Sequence, residues 1–172
     1  DEYSPLPTTV LEQTVARIRK LDESTEGENA QDVADAIRDI VQDHAGVFRT
    51  TELLEKGVKE ILAIEPRVRN ILLKDKSKVF NTARVEALEV ENLYEVAKAT
   101  LISAAARKEC RGAHTVVDFE LPPDHPTYSY GRRDDEWMKH TLWFSSDNRL
   151  EYKPVRYKPL SVQAIPPKPR TF

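Results

Sequence analysis

An alanine-rich helical pattern runs from about Thr82 to Arg107 and ends at a dense set of charges. Apolar residues recur along it at helical spacing on more than one side, including Ala87, Tyr94 and Leu101. A helix that is apolar on several sides is buried between neighbours, and small residues let other backbones approach it closely. The pattern therefore predicts a central helix in a mainly α-helical fold.

Three shorter amphipathic patterns precede this helix. They predict helices over about residues 10–22, from Asn29 as cap through a stripe that ends at His44, and over about residues 50–72 with Thr50 or Thr51 as cap. Asn81 or Thr82 is the predicted start of the central helix. Pro66 interrupts the third pattern, so we expect a kink near residues 62–65 or a break there. The polar stretch 22–29 around Gly27 predicts a tolerant surface connection. Together the patterns predict a bundle of three to four helices.

The character of the chain changes after residue 114. Residues 140–144 and 150–157 are β-prone and are separated by a plausible turn at 145–148, which predicts a small hairpin. Residues 158–172 contain four prolines and no periodicity, which predicts an extended tail. We therefore predict one domain, with a helical bundle over 1–114 and an irregular region, hairpin and tail over 115–172 packing on it.

Composition excludes several classes of protein. The chain has 172 residues and a net charge of −3, so it has no basic excess with which to neutralise the phosphates of a nucleic acid. No window approaches the roughly 18 apolar residues of a membrane span. The five glycines are scattered and form no dinucleotide fingerprint. The first residue is aspartate rather than methionine, so we expect a processed chain or a piece of a longer one.

Residues 107–114 (Arg-Lys-Glu-Cys-Arg-Gly-Ala-His) hold three cations, one acid, the only cysteine and one imidazole. Two interpretations stay open. The stretch is an anion site or a tightly docked surface, or it is a charged helix C-terminus with Gly112 as a left-handed stop.

No metal site and no catalytic residue is predicted in the chain. The spacing of the candidate ligands matches no structural zinc pattern, and only one thiolate is available; they are Cys110, His114, Asp118, Asp124, His125 and His140. Cys110 and His114 lie four residues apart across a glycine, so we predict an inert, packed thiol rather than an activated nucleophile.

Five motifs stand in a specific order along the chain. They are residues 47–49 (Val-Phe-Arg), 80–82 (Phe-Asn-Thr), 107–114, 133–142 (Arg-Asp-Asp-Glu-Trp-Met-Lys-His-Thr-Leu) and 166–172 (Pro-Pro-Lys-Pro-Arg-Thr-Phe). In this order they resemble the C-terminal part of succinate dehydrogenase flavoprotein subunits, and fumarate reductase flavoproteins share much of the pattern. The resemblance covers about residues 11–172. It departs at Cys110, where the family usually has serine, and in the length of the segment 121–131.

The resemblance implies an oxidoreductase whose other domains lie outside this chain. In such a subunit a Rossmann-like domain binds FAD, a capping domain covers the dicarboxylate, and succinate is oxidised to fumarate. Electrons then pass to an iron–sulfur subunit and, through membrane anchor subunits, to quinone. The complex would sit peripherally at the cytoplasmic face of a bacterial inner membrane or at the mitochondrial matrix face. A flavin-attachment assembly factor is a further partner that the resemblance allows.

The resemblance gives this segment a docking and supporting role. It implies that the segment alone is inactive, because the chemistry belongs to the cofactor. The missing dinucleotide fingerprint predicts that the segment alone binds no FAD. The residues expected to support the flavin domain or the contact between domains are Arg111, Gly112, His114 and Arg170. The alternative function is a stand-alone helical protein-interaction module without redox chemistry.

Overall fold

The computed structural model describes residues 7, 9–125 and 130–166, and helices dominate this part of the chain. The main helices are α1 (Thr9–Glu23), α2 (Ala30–Ala45), α3 (Thr51–Ala63), α4 (Glu65–Val68) and α5 (Thr82–Ala106). A 3-10 turn (Val117–Phe119) and a short helix α6 (Asp134–Trp137) then lead to strands β1 (Lys139–Phe144) and β2 (Arg149–Pro154). The predicted mainly α class, with a helical part followed by an irregular region and a hairpin, is confirmed.

Polar side chains begin three of the helices, as the sequence predicts. The Asn29 Oδ1 accepts from the amide of Gln31 at 2.8 Å, and the Asn81 Oδ1 accepts from the amide of Arg84 at 2.8 Å. At α3 the Thr50 hydroxyl accepts from the amide of Leu53 at 3.1 Å. Each cap satisfies an amide that the first turn of a helix leaves without an intrahelical partner.

The third predicted helix is shorter than its apolar pattern indicates. The helix breaks at Ile64, and Pro66 falls in the first turn of α4, where its missing N–H costs no helical hydrogen bond. Ile71 is not helical but forms a parallel bridge with Glu28. The prediction of helix up to residue 72 is therefore wrong beyond α4, because the backbone pairs with another segment instead.

The loop around Gly27 is held tightly rather than being a tolerant connection. The Glu28 amide donates to the Asn70 carbonyl, and the Leu72 amide donates to the Glu28 carbonyl, both at 2.9 Å. Gly27 has φ +137°, and a Cβ built on it would lie 2.5 Å from the Asn70 oxygen. A side chain at this position would meet backbone atoms. The prediction of a tolerant connection, made from the polar composition of the loop, is therefore wrong.

The described residues form two compact units. The first contains the residues up to 37 together with 64–94, and the second contains 38–63 together with those from 95 onward. The buried apolar side chains of the first unit include Leu21, Val33, Ile37, Val68, Leu73 and Val90. Those of the second unit include Leu54, Ile61, Leu101, Ala104, Val116 and Trp137. The sequence-based boundary at residue 114 stays a prediction.

In the second unit, Gly57 allows α3 to pass close to its neighbours. A Cβ at Gly57 would lie 2.5 Å from the Cβ of His44 in α2 and 2.8 Å from the Cδ2 of Leu101 in α5. The hairpin of this unit is antiparallel, with Lys139 opposite Pro154 and Phe144 opposite Arg149. The predicted turn at residues 145–148 connects its strands. Among the described residues, no helix combines the length and the apolar character needed to cross a bilayer.

Candidate functional site

The charged stretch 107–114 lies beyond the end of α5 and is not a helix C-terminus that a glycine stops. The helix ends at Ala106, and Gly112 lies in a tight turn beyond it. The Arg111 amide donates to the His114 carbonyl at 2.8 Å, and the His114 amide donates back to the Arg111 carbonyl at 3.0 Å. Gly112 has the predicted left-handed conformation, with φ +59°, but it closes this two-residue turn rather than the helix.

Glu109 is the centre of the stretch, and its side chain is completely buried. One carboxylate oxygen accepts from the Nε of Arg107 at 2.9 Å and from the Nε of Arg111 at 2.8 Å. The other accepts from the Nη2 of Arg111 and from the backbone amide of Arg133, both at 3.0 Å. The desolvated carboxylate is thus stabilised by two guanidinium groups and an amide.

Arg107 connects this carboxylate to the start of the hairpin. Its guanidinium donates to the carbonyl of Trp137 at 2.5 Å and to that of Lys139 at 3.0 Å. It also lies 5.4 Å from the centroid of the Trp137 ring. One arginine therefore fixes the turn at 111–114, the short helix α6 and strand β1 relative to each other.

Arg111 lies between two carboxylates, and most of its donors are used within the chain. Besides Glu109, it contacts Asp134 at 2.7 Å, and Asp134 also accepts from Arg132 at 3.0 Å. Burial alone would raise the pKa of Asp134, but the bonds from Arg111 and Arg132 lower it below its ordinary value. Burial would likewise lower the pKa of Arg111, but its two carboxylate partners raise it. The Nη1 of Arg111 faces the sulfur of Met138 at 3.9 Å. We call Arg107, Glu109, Arg111, Arg132 and Asp134 the arginine–carboxylate cluster.

His114 is neutral, and its partners define its tautomer. Its Nε2 lies 2.9 Å from the Arg107 carbonyl, which can only accept, so Nε2 carries the hydrogen. Its Nδ1 lies 3.1 Å from the Nη1 of Arg49, which can only donate, so Nδ1 accepts. Burial is the main cause that lowers the pKa of His114; the bond to the Arg107 carbonyl partly offsets it, and the charges of Arg49 and Arg107 lower the pKa further. Both ring nitrogens are thereby occupied.

Arg49 joins this site although it lies before α3. Its Nε donates to the Gly46 carbonyl at 2.9 Å, and burial lowers the pKa of its guanidinium. An open groove of about 520 Å³ begins here. It is lined by Arg49, Thr100, Ser103, Ala104, Arg107, Arg111, His114, Trp137, Met138, Lys139, His140, Thr141 and Val155.

The structure brings three of the four candidate residues together. Arg111, Gly112 and His114 share one turn, whereas Arg170 lies outside the described residues. Arg49, Glu109 and Lys139 also belong to this site, but their roles were not predicted from the sequence. The available signal was that each lies in one of the motifs 47–49, 107–114 and 133–142.

The structure gives Cys110 a packing role. Its thiol is buried, donates to the Val116 carbonyl at 3.2 Å and accepts from the Val116 amide at 3.4 Å. Burial raises its pKa, which disfavours the reactive thiolate.

The residues considered as metal ligands have other roles or lie apart. Asp118 accepts a hydrogen bond from the Thr51 amide at 2.6 Å at the start of α3. Within the described part of the chain, no group of three His, Cys, Asp or Glu side chains is placed to hold a metal ion.

Comparison with known families agrees with the motifs. The family described as the fumarate reductase flavoprotein C-terminal part matches residues 34–172. The chain belongs to this family. Membership disfavours the alternative of a stand-alone module without redox function.

Individual relatives cover the chain almost completely. A succinate dehydrogenase flavoprotein subunit of Rickettsia bellii is 39% identical over 99% of this chain and 28% of its own length. The mitochondrial succinate dehydrogenase [ubiquinone] flavoprotein subunit of Oryza sativa is 35% identical over 100% of this chain and 26% of its own. A solved structure of a FrdA mutant of E. coli quinol fumarate reductase superposes with a TM-score of 0.73, at 28% identity over 98% of this chain and 27% of its own. The chain therefore spans about a quarter of the length of the relatives it matches.

Proposed function

We propose that this chain is the C-terminal helical part of a flavoprotein subunit that oxidises succinate to fumarate through FAD. The observation that carries the proposal is the family match over 34–172, together with relatives named as succinate dehydrogenase flavoprotein subunits that align with nearly the whole chain. FAD and the dicarboxylate would be held by the remaining three quarters of the subunit.

The chain would then support the flavin-binding and capping domains of its own subunit. The arginine–carboxylate cluster favours this role because it stiffens the turn at 111–114 and the hairpin with contacts that connect residues far apart in sequence. Arg111, Gly112 and His114 would present this rigid surface, and Arg170 would brace the flavin domain from the tail. The thiol of Cys110 is buried, and both ring nitrogens of His114 are hydrogen-bonded within the chain. These observations favour a supporting role over catalysis by this part of the subunit.

The assembled enzyme would pass electrons to an iron–sulfur subunit and, through membrane anchor subunits, to quinone. It would lie peripherally on the cytoplasmic face of a bacterial inner membrane or on the mitochondrial matrix face, and an assembly factor would assist flavin attachment. Fumarate reduction is the second candidate direction, because the structurally similar chain is from a quinol fumarate reductase.

Reconstitution from two polypeptides tests the supporting role. The 172-residue chain and the remainder of its subunit are expressed separately and together, and FAD content and succinate oxidation are measured. We expect the chain alone to show no saturable binding in a micromolar FAD titration. We expect full FAD content and turnover only when both polypeptides are present. Full flavin content and turnover in the remainder alone would contradict the proposal.

A further inference from the structure

Helix α1 carries an apolar stripe that stays open to solvent in the described part of the chain. Leu11, Val15 and Ile18 follow one another at four- and three-residue spacing, which places them along one side of the helix. Their exposed fractions are 72%, 42% and 39%. Within α1 only Leu21 is buried, whereas α2, α3 and α5 each bury several apolar side chains. We call these three exposed residues the α1 stripe.

Polar contacts fix which side of α1 faces the first unit. The Lys20 ammonium donates to the Arg69 carbonyl at 2.6 Å. Arg17 donates to the Leu88 carbonyl at 3.2 Å and pairs with the Glu91 carboxylate. All of these partners belong to the first unit. Rotation of α1 to bury its stripe in that unit would break these contacts, so the cover of the stripe has to come from elsewhere.

The charge of α1 disfavours a lipid surface as this cover. Helices that lie on membranes combine an apolar face with a basic excess, which attracts anionic lipids. The acidic and basic side chains of α1 balance instead; they are Glu12, Arg17, Arg19, Lys20, Asp22 and Glu23. A protein surface is therefore the better cover for the α1 stripe.

The remainder of the proposed subunit would lie within reach of the α1 stripe. The relatives align with nearly the whole of this chain, α1 included, and the chain spans about a quarter of their length. The matching family describes a C-terminal part, so the remaining polypeptide would precede α1. Eight residues come before α1 in this chain, and they reach at most about 28 Å. A short tether keeps the connected domains at an effective concentration that a second copy of the chain does not reach.

We propose that the α1 stripe is a docking surface for the polypeptide that precedes α1 in its own subunit. The surface that covers it is apolar, because burial of apolar side chains against apolar side chains drives such contacts. This role rests on the proposed function and adds a contact that lies outside the family match at 34–172. It is separate from the turn at 111–114, which belongs to the second unit.

Thiol labelling measures whether the α1 stripe is covered. Leu11→Cys places a thiol on the stripe, and the native Cys110 is buried. Alkylation by iodoacetamide at residue 11 is followed by mass spectrometry in the 172-residue chain and in the intact flavoprotein subunit. We expect it to be about tenfold or more slower in the intact subunit, because a covered thiol is inert. Val15→Cys tests the same stripe if Leu11→Cys does not fold.

Gln13→Cys is the matched control. Two residues correspond to about 200° around an α-helix, so position 13 lies on the other side of α1 from position 11. Gln13 is also exposed. Its replacement should be alkylated at the same rate in both proteins. Equal slowing at positions 11 and 13 would show that the stripe is not the docking face and would overturn the proposal.

FAD content and succinate oxidation, measured in the same preparations, separate the two proposals. Unchanged alkylation at residue 11 in a subunit that holds FAD and oxidises succinate would overturn the docking role and leave the proposed function standing. A folded subunit without FAD or turnover would contradict the proposed function, whatever the alkylation rate. Protection that appears only with the iron–sulfur subunit, with rising concentration of the 172-residue chain or with phosphatidylglycerol vesicles would assign the stripe to another cover and overturn the docking role.

Discussion

At the scale of single residues, Glu109 decides how the charged stretch is organised. Its carboxylate is out of contact with water and accepts from Arg107, Arg111 and the amide of Arg133. Removing one member of a buried ion pair leaves the remaining charges without compensation, which costs more than an exposed pair contributes. The stretch therefore depends on one acid more than on any of its cations.

We expect Glu109→Gln to lower the free energy of unfolding of the second unit by about 3 kcal/mol, the usual cost of breaking a buried ion pair. Urea unfolding followed by tryptophan fluorescence measures this, because Trp137 and Trp143 both belong to that unit. The control is Glu136→Gln, whose exposed partner Arg133 lies 3.5 Å away, and its effect should stay within about 0.5 kcal/mol. Equal effects of the two changes would show that Glu109 does not hold the cluster.

The sequence predicted the density of charge at 107–114 but not its internal compensation. Glu109 lies two residues from Arg107 and from Arg111, yet the amide of Arg133 comes from much further along the chain. Arg49 reaches His114 across 65 residues of sequence. Such contacts depend on tertiary packing, so the helix-terminus interpretation did not describe the arrangement. The interpretation as an anion site or a tightly docked surface stays a prediction.

At the scale of elements, local rules predicted where the helices begin better than where they end. Asn29, Thr50 and Asn81 cap helices because one side-chain oxygen and one nearby amide suffice. The apolar residues at 71 and 72 fit a helical stripe, but their backbone bridges to Glu28. A short apolar run fits a helix or a strand equally well until its partner is known.

Gly27 and Gly112 provide a test of this bridge, because both have positive φ but only one is crowded. A Cβ at Gly27 would meet the Asn70 carbonyl at 2.5 Å, whereas nothing lies within 4 Å of a Cβ at Gly112. We expect Gly112→Ala to cost about 1 kcal/mol from backbone strain alone. Gly27→Ala should cost about 2 kcal/mol or more, because strain and steric conflict add.

Hydrogen exchange at the amides of Glu28 and Leu72, which form the bridge, locates the effect of Gly27→Ala. Both amides should lose protection in this variant and keep it in Gly112→Ala. Urea unfolding gives the two costs. A Gly27→Ala chain as stable as Gly112→Ala, with both amides still protected, would mean that the loop relaxes and tolerates a side chain after all.

At the scale of the whole molecule, helical periodicity predicted the fold class because it is repeated over about a hundred residues. The order of motifs predicted the family, and the match over 34–172 confirms it. The division into two units was not predicted, because α2 and α5 each contribute residues to both and no change in composition marks the transition. The roles of Arg111 and Arg170 stay predictions about the intact subunit.

These roles are separable by measuring covalent flavin content and succinate oxidation independently in the intact subunit. Arg111→Ala removes a partner of both Glu109 and Asp134, so we expect the turn at 111–114 to loosen and turnover to fall more than flavin content. Three prolines precede Arg170 in sequence, and a restricted backbone loses less entropy when it docks. Arg170 would then brace the flavin domain from the tail, so we expect Arg170→Ala to lose covalent flavin. Lys108→Ala is the control, because Lys108 is exposed between the two arginines of the cluster and should change neither quantity. Wild-type flavin content and turnover in both arginine variants would show that the contact between domains depends on neither side chain.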